Sequence, residues 1–254
     1  MSSAKLSKQD RREAAREQAR KLRELQKRRE RRNRILIITG VVVFIGIVAA
    51  ALISIITAGN RPPLDGVDER PAGAIASGAI QVGADGVGSV SEGAPVVDLY
   101  LDYLCTHCAN FEAINGGVLD ELAAAGEATV NYHPVAFIGG SDFNIRAANA
   151  LAVVATESPE HFGEFNTQLF AAQGEGGATP LSNDQIADVA REVGVREEVV
   201  ETFPDGRYND WVQGVTEQAQ RDEIRGTPTV LIDGEEFLGW TQPGALEQAI
   251  RDAA

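Results

Sequence analysis

Cys105 and Cys108 are the only thiols in the 254-residue sequence, and only Thr106 and His107 separate them. Thiols at this spacing admit three chemistries: a structural disulfide, half of a metal site, or a redox couple. A structural bridge of this span closes a tiny loop and restricts the unfolded chain little. A zinc site takes about four ligands, and the histidines available to join the pair are His107, His133 and His161. Copper delivery remains the metal alternative. A redox couple needs one thiol that ionises readily and a second that is shielded, so the neighbouring elements must decide.

Upstream, PVVDLYLDYL (Pro95 to Leu104) has the apolar and β-branched density of a buried strand that runs into the pair. Downstream, Phe111, Ile114, Val118, Leu119 and Leu122 recur at helical spacing, which predicts a helix from about Cys105–Cys108 to near Gly126. A helix N-terminus carries partial positive charge and unpaired N–H groups, and both stabilise a thiolate. Cys105 is therefore the expected acidic, exposed thiol and Cys108 the buried partner. Thiol pKa values in such motifs fall to roughly 3.5–7. The imidazole of His107 is expected to favour the anion further. A stabilised thiolate favours the dithiol, which makes the oxidised form a ready disulfide donor.

Beyond the helix, ATVNYHPV (Ala128 to Val135) predicts a second strand, and residues 141–224 read as a block of four helices with Ser182 or Asn183 as a cap. Ala148, Leu151 and Val154 form a core stripe, and Trp211 and Trp240 are expected to fill the core or flank a groove. TVLID and EEFLGW flank Asp233-Gly234, a hairpin signal, before a final helix. His133, before Pro134 at a strand end, is read as a packed or loop residue rather than a catalyst.

Charge divides the chain. Residues 1–34 hold 14 of the 23 Lys+Arg and 5 of the 37 Asp+Glu, a net of +9, so residues 35–254 carry −23. Residues 35–58 contain no charged side chain and as a helix would measure about 36 Å, enough to cross a hydrocarbon core of about 30 Å. The run exceeds the apolar region of a cleaved signal peptide. Arg28, Arg29, Arg31, Arg32 and Arg34 crowd one end while only Arg61 and Arg70 follow the other, which puts the N-terminus in the cytoplasm and the acidic part outside. Beside such a span the basic run reads as a solvated helix near anionic headgroups, not a nucleic-acid site. Residues 59–79, rich in Gly, Pro and Ala, read as a flexible linker, and residues 80–254 as one globular domain. Outside the cytoplasm thiols are not held reduced, which favours the redox reading.

The order strand, Cys105-Thr106-His107-Cys108, helix, helical insertion, then GTPTVLIDG and a hairpin resembles the DsbA-like branch of the thioredoxin superfamily in its membrane-tethered bacterial form. The resemblance covers residues 80–254 and implies an α/β, thioredoxin-like fold with a helical insertion at about 141–224, preceded by a single transmembrane helix. It implies that Cys105 enters the mixed disulfide, Cys108 resolves it, and Thr106 and His107 set the potential. It further implies that Thr227-Pro228 forms a cis bond opposite the cysteines and binds an extended substrate strand. The activity implied is a protein disulfide oxidase acting on reduced exported proteins and reoxidised by a quinone-linked membrane partner of the DsbB or VKOR type, with no cofactor besides the cysteine pair. A reductase or isomerase is the same-class alternative. The sequence departs from the family pattern at Thr106, where proline is common, and at Leu99, where the superfamily often has a buried acid. Asp98 and Asp102 lie nearby and are read as solvated strand-end carboxylates without a role in proton transfer.

Overall fold

The computed structural model describes residues 8–59, 62–174 and 179–254. The first seven residues of the basic segment, residues 60–61 of the expected linker and residues 175–178 of the helical block lie outside the described residues. The chain divides into two compact units between Arg61 and Pro62.

In the first unit no proline interrupts the basic and apolar stretches, and both join one helix, α1 (Lys8–Gly59). Its segment Arg20–Ser54 has a mean hydropathy of 3.0 in its apolar window and is the one helix among the described residues long and apolar enough to cross a membrane. Large apolar side chains such as Ile37 and Phe44 are about two-thirds exposed. Among the described residues of this unit none covers them, a pattern that suits lipid rather than water.

In the second unit a six-stranded sheet has the order β2-β1-β4-β3-β5-β6. Its strands are β1 (Ile80–Gly83), β2 (Gly86–Val87), β3 (Val96–Leu101), β4 (Thr129–Pro134), β5 (Thr229–Ile232) and β6 (Glu235–Glu236). The central pair β3 and β4 is parallel, with Leu99 opposite Tyr132 and Tyr100 opposite His133. Parallel neighbours need a crossover, and α2 (Thr106–Ala124) supplies it. On β3 and β4 alternation sends Leu99 and Tyr132 to the face of α2, where the Tyr132 hydroxyl donates to Asp120 at 3.2 Å, and Asp98, Tyr100, Asn131 and His133 to the other.

The helical block comprises α3 (Phe143–Glu157), α4 (Phe162–Ala171), α5 (Asn183–Glu192), α6 (Glu197–Val200) and α7 (Asn209–Arg221). The single turn α6 is additional to the four helices expected. Ser182 caps α5 in a reciprocal box with Gln185. The chain ends in α8 (Ala245–Ala253).

Three expectations need correction. The sequence reading places no strand before Pro95, yet a hairpin β1–β2 forms: its strands are too short for a periodic signal, and β1 is marked by its antiparallel pairing with β2 and β4. Residues 62–79 are not a free linker. Leu64 is 3 % exposed and Pro71 is buried, the Ala72 N–H donates to Thr156 Oγ1 at 3.0 Å, and the Gln81 N–H to the Gly73 carbonyl at 3.0 Å. Leu64 fits because Gly78 and Gly214 lack a Cβ; one at either position would stand 2.8 Å from a Leu64 methyl. The composition of a spacer thus conceals one apolar anchor and paired backbone donors.

The third correction concerns EEFLGW. The Asp233-Gly234 turn forms with positive φ at both residues, but β6 stops at Glu236 and residues Gly239–Thr241 make a 3-10 turn. Trp240 packs edge-on against Phe111 at 5.7 Å, and its carbonyl accepts from Asn115 Nδ2 at 3.0 Å. After one more bond to β5, from the Phe237 N–H to the Val230 carbonyl at 2.8 Å, the chain turns to these contacts with α2.

Candidate active site

Cys105 occupies the N-cap of α2 in an extended conformation, and no side chain caps the helix there. The first N–H groups of α2 are thus left for the sulfur, as an N-terminus requires of an anion site. The Cys105 thiol donates to the Thr227 carbonyl at 3.2 Å, and the Thr227-Pro228 bond is cis. Both cysteines are free thiols; Cys105 is 6 % exposed and Cys108 is fully buried.

The two sulfurs titrate in opposite directions. Hydrogen bonding from the Cys108 thiol, with help from the Thr227 side chain and the backbone N–H groups of Cys108 and His107, outweighs burial and brings Cys105 down to about 6. Burial, then the hydrogen bond and charge of Cys105, drive Cys108 far above the usual thiol range. One thiol is therefore poised as a nucleophile at neutral pH and the other is held neutral.

His107 acts on the sulfur through its backbone N–H, whereas its side chain is exposed, as is that of Thr106. His133 and His161 do not join the pair. His133 is buried, stacks on Tyr100 at 4.0 Å and bonds Asp98 at 2.9 Å. His161 lies 3.6 Å from Glu160. Burial opposes ionisation of Asp98, but hydrogen bonds from His133 and Asn131 prevail and hold its carboxyl below the usual range.

Asp102 corrects the expectation of a solvated carboxylate: it is wholly buried. Its oxygens accept from the N–H groups of Leu104 and Ile138, both at 2.8 Å, and from Asn144 Nδ2 at 3.1 Å. It thereby ties the loop before Cys105 to the segment after β4. Burial still raises its pKa despite these donors.

Sequence reasoning missed a second buried carboxyl. Glu112, 3 % exposed, lies one helical turn beyond Cys108 and accepts from Asn166 Nδ2 at 2.8 Å and Thr167 Oγ1 at 3.2 Å. Asn166 accepts in turn from the Tyr103 hydroxyl at 2.6 Å. The i, i+4 spacing from Cys108, on the helix face that also carries Phe111 and Leu119, was the signal available.

A protein-family model described as Thioredoxin matches residues 89–252. Among solved structures, the chain is similar to an MdbA thiol-disulfide oxidoreductase from Actinomyces oris at 24 % identity, with 76 % of this chain and 96 % of that one covered and a TM-score of 0.62. It is similar to reduced DsbA from Mycobacterium tuberculosis at 28 % identity, with 69 % and 91 % covered and a TM-score of 0.57. It is also similar to the reduced disulfide bond oxidoreductase DsbG of that organism at 29 % identity, with 75 % and 91 % covered and a TM-score of 0.58. No curated protein sequence matches.

Proposed function

The chain belongs to the thioredoxin family, and from that premise we propose that it is a membrane-tethered protein disulfide oxidase, its catalytic domain on the extracytoplasmic side. Thiol-disulfide oxidoreduction is the activity; the direction, the tether and the clients are the proposal. The observation that carries it is the Cys105 sulfur at the N-terminus of α2, brought down to about 6 beside a Cys108 held neutral.

In the oxidised enzyme a thiolate of a reduced exported protein attacks Cys105 Sγ. The Cys105–Cys108 bond breaks, its electron pair leaves on Cys108, and the client is joined to Cys105. A second client thiolate then attacks the client sulfur of that mixed disulfide and releases Cys105 as a thiolate. The client is oxidised by two electrons and the pair Cys105/Cys108 is reduced by two. The ready ionisation of Cys105 makes it a good leaving group and favours the dithiol product. Thr227 and Pro228, beside the sulfur, are the proposed seat of the client strand, through backbone pairing of the kind an exposed edge offers. Thr106 and His107 are proposed to tune the potential from the exposed first turn.

The helix α1, with its cluster of cations at residues 28–34 and its apolar run, supports a single-pass anchor with a cytoplasmic N-terminus. A quinone-linked membrane reoxidase of the DsbB or VKOR type would return the pair to the disulfide. The test is to incubate the oxidised full chain with a reduced unfolded protein and follow client thiols and the Cys105/Cys108 state together. Stoichiometric client oxidation and a potential well above that of thioredoxin are expected. A thioredoxin-like potential would reverse the direction to reductase, and absence of exchange would remove the reading.

A further inference from the structure

The face of the sheet away from α2 carries a polar network that the exchange chemistry just described does not use. Gln81 Nε2 donates to Asn131 Oδ1 at 3.0 Å, and Asn131 Nδ2 to Asp98 Oδ1 at 3.0 Å. The same carboxylate oxygen meets His133 Nε2 at 2.9 Å, and the imidazole stacks on Tyr100 at 4.0 Å. Tyr100 stands directly opposite His133 on β4 and Thr229 on β5. Residues directly opposite one another share a face of the sheet, so His133, Tyr100 and Thr229 form one row across it.

Thr229 ends this row and is 9 % exposed. Its hydroxyl donates to the Gly226 carbonyl at 2.8 Å, which ties the row to the loop that holds Thr227 against Cys105. The bond orients a whole peptide group. The Gly226–Thr227 bond is trans, so its C=O and N–H point to opposite sides of the chain. With the carbonyl turned to Thr229, the Thr227 N–H points away from the row, and among the described residues no acceptor meets it. The carbonyl of Thr227 faces the Cys105 thiol at 3.2 Å. Residue 226 does not hold this plane by itself: glycine moves readily between backbone conformations, and a Cβ there would meet open space.

We propose that Thr229 is a positioning residue whose hydroxyl sets the Gly226–Thr227 peptide plane, so that the Thr227 N–H is presented to a backbone carbonyl of an extended client beside Cys105. The inference rests on the function proposed above. The partner it serves is a polypeptide that lies extended with its thiol next to the pairing carbonyl. A thiol without a peptide backbone gains nothing from it. Without the hydroxyl the glycine plane is free to rotate, and the client must order it on arrival. The cost is about that of one hydrogen bond, roughly fivefold in rate.

The test compares the second-order rates at which a reduced unfolded protein and mercaptoethanol reduce the oxidised full chain. Thr229→Val, which keeps the shape and removes the hydroxyl, should lose roughly fivefold with the protein and hold the wild-type rate with mercaptoethanol. Thr229→Ser, which keeps the donor, should retain the wild-type ratio of the two rates. A loss of packing alone would lower Tm without moving that ratio. A wild-type ratio in Thr229→Val, or an equal loss in Thr229→Ser, overturns the inference; should Thr229→Val not fold, a wild-type ratio in Thr229→Ala does so. A wild type that exchanges with neither thiol would instead remove the functional reading and this inference with it.

Discussion

Cys105 Sγ and the carbonyl oxygen of Thr227 meet at 3.2 Å although 122 positions separate them in sequence. The antiparallel pairing of β3 with β5 brings them together, with Tyr100 opposite Thr229. Both the cysteine and the loop with the cis bond emerge from the same end of adjacent central strands. A client strand pairing beside Thr227 would thus lie on the sulfur it must reach.

This juxtaposition predicts distinct outcomes for the two cysteines. Cys105→Ser should abolish exchange with a reduced client. Cys108→Ala, presented with a disulfide-bonded client, should accumulate that client joined to Cys105. The Cys105 thiolate attacks the client disulfide, one client sulfur leaves as a thiolate, and no Cys108 remains to release the adduct, which is visible on non-reducing gels and by intact mass. Adducts formed by a Cys105→Ser chain would contradict the role assignment.

The Cys105 thiolate should appear with a midpoint of about 6 when the reduced protein is titrated by absorbance at the thiolate band. Because the folded pKa lies below the ordinary thiol value of 9, this group adds stability to the reduced state that is complete above pH 9 and is lost as pH falls through about 6. Chemical denaturation of the reduced wild type against Cys105→Ser should therefore diverge upward across that window. A flat difference would show that the thiolate is not stabilised by the fold.

Glu112 contributes with the opposite sign. Its folded pKa of about 7 exceeds the ordinary 4.5, so its stabilisation is present below pH 4.5 and is lost as pH rises through about 7, a change on the order of 3 kcal/mol. Glu112→Gln should remove this slope and make the domain more stable than the wild type at pH 8. Parallel stability curves for the two proteins from pH 4 to 8 would contradict this.

Asp102→Ala should leave the N–H groups of Leu104 and Ile138 and the amide of Asn144 without their buried acceptor. A loss on the order of 3 kcal/mol, or roughly 6–12 °C in Tm, is expected, with reduced exchange because the loop that presents Cys105 loses its tie. A Tm unchanged within 2 °C on thermal denaturation, roughly the effect of 1 kcal/mol, would show Asp102 to be dispensable.

Leu64→Ala distinguishes a packed segment from a tether. A buried leucine packed against Gly78 and Gly214 should cost about 2–5 kcal/mol on truncation, whereas a leucine in a free linker would cost nothing. Thermal denaturation of the full chain reads the difference.

What the sequence determined on its own is what periodicity and spacing encode. The strand before Cys105, the helix after it, the second strand, the helical block, the Asp233-Gly234 turn and the uncharged run of residues 35–58 all follow from patterns within a few turns or strands. Those patterns carry the resemblance that implied a thioredoxin-like fold, and they predicted the apolar N-terminal helix directly. Local spacing also drew Cys105 and Cys108 out as the chemical pair, while the redox reading rested on compartment and on the resemblance.

The tertiary structure decided which polar groups lose water. Asp102 and Asp98 look alike as strand-end carboxylates, yet one is sealed under three donors and the other bonds a buried histidine. Glu112 looks like an ordinary helical glutamate until α4 closes over it and Gly116 admits its carboxyl. Leu64 lies in a stretch with the composition of a spacer but finds a socket lined by two glycines. In each case desolvation and pairing depend on atoms supplied from distant parts of the chain, so no local pattern announces them.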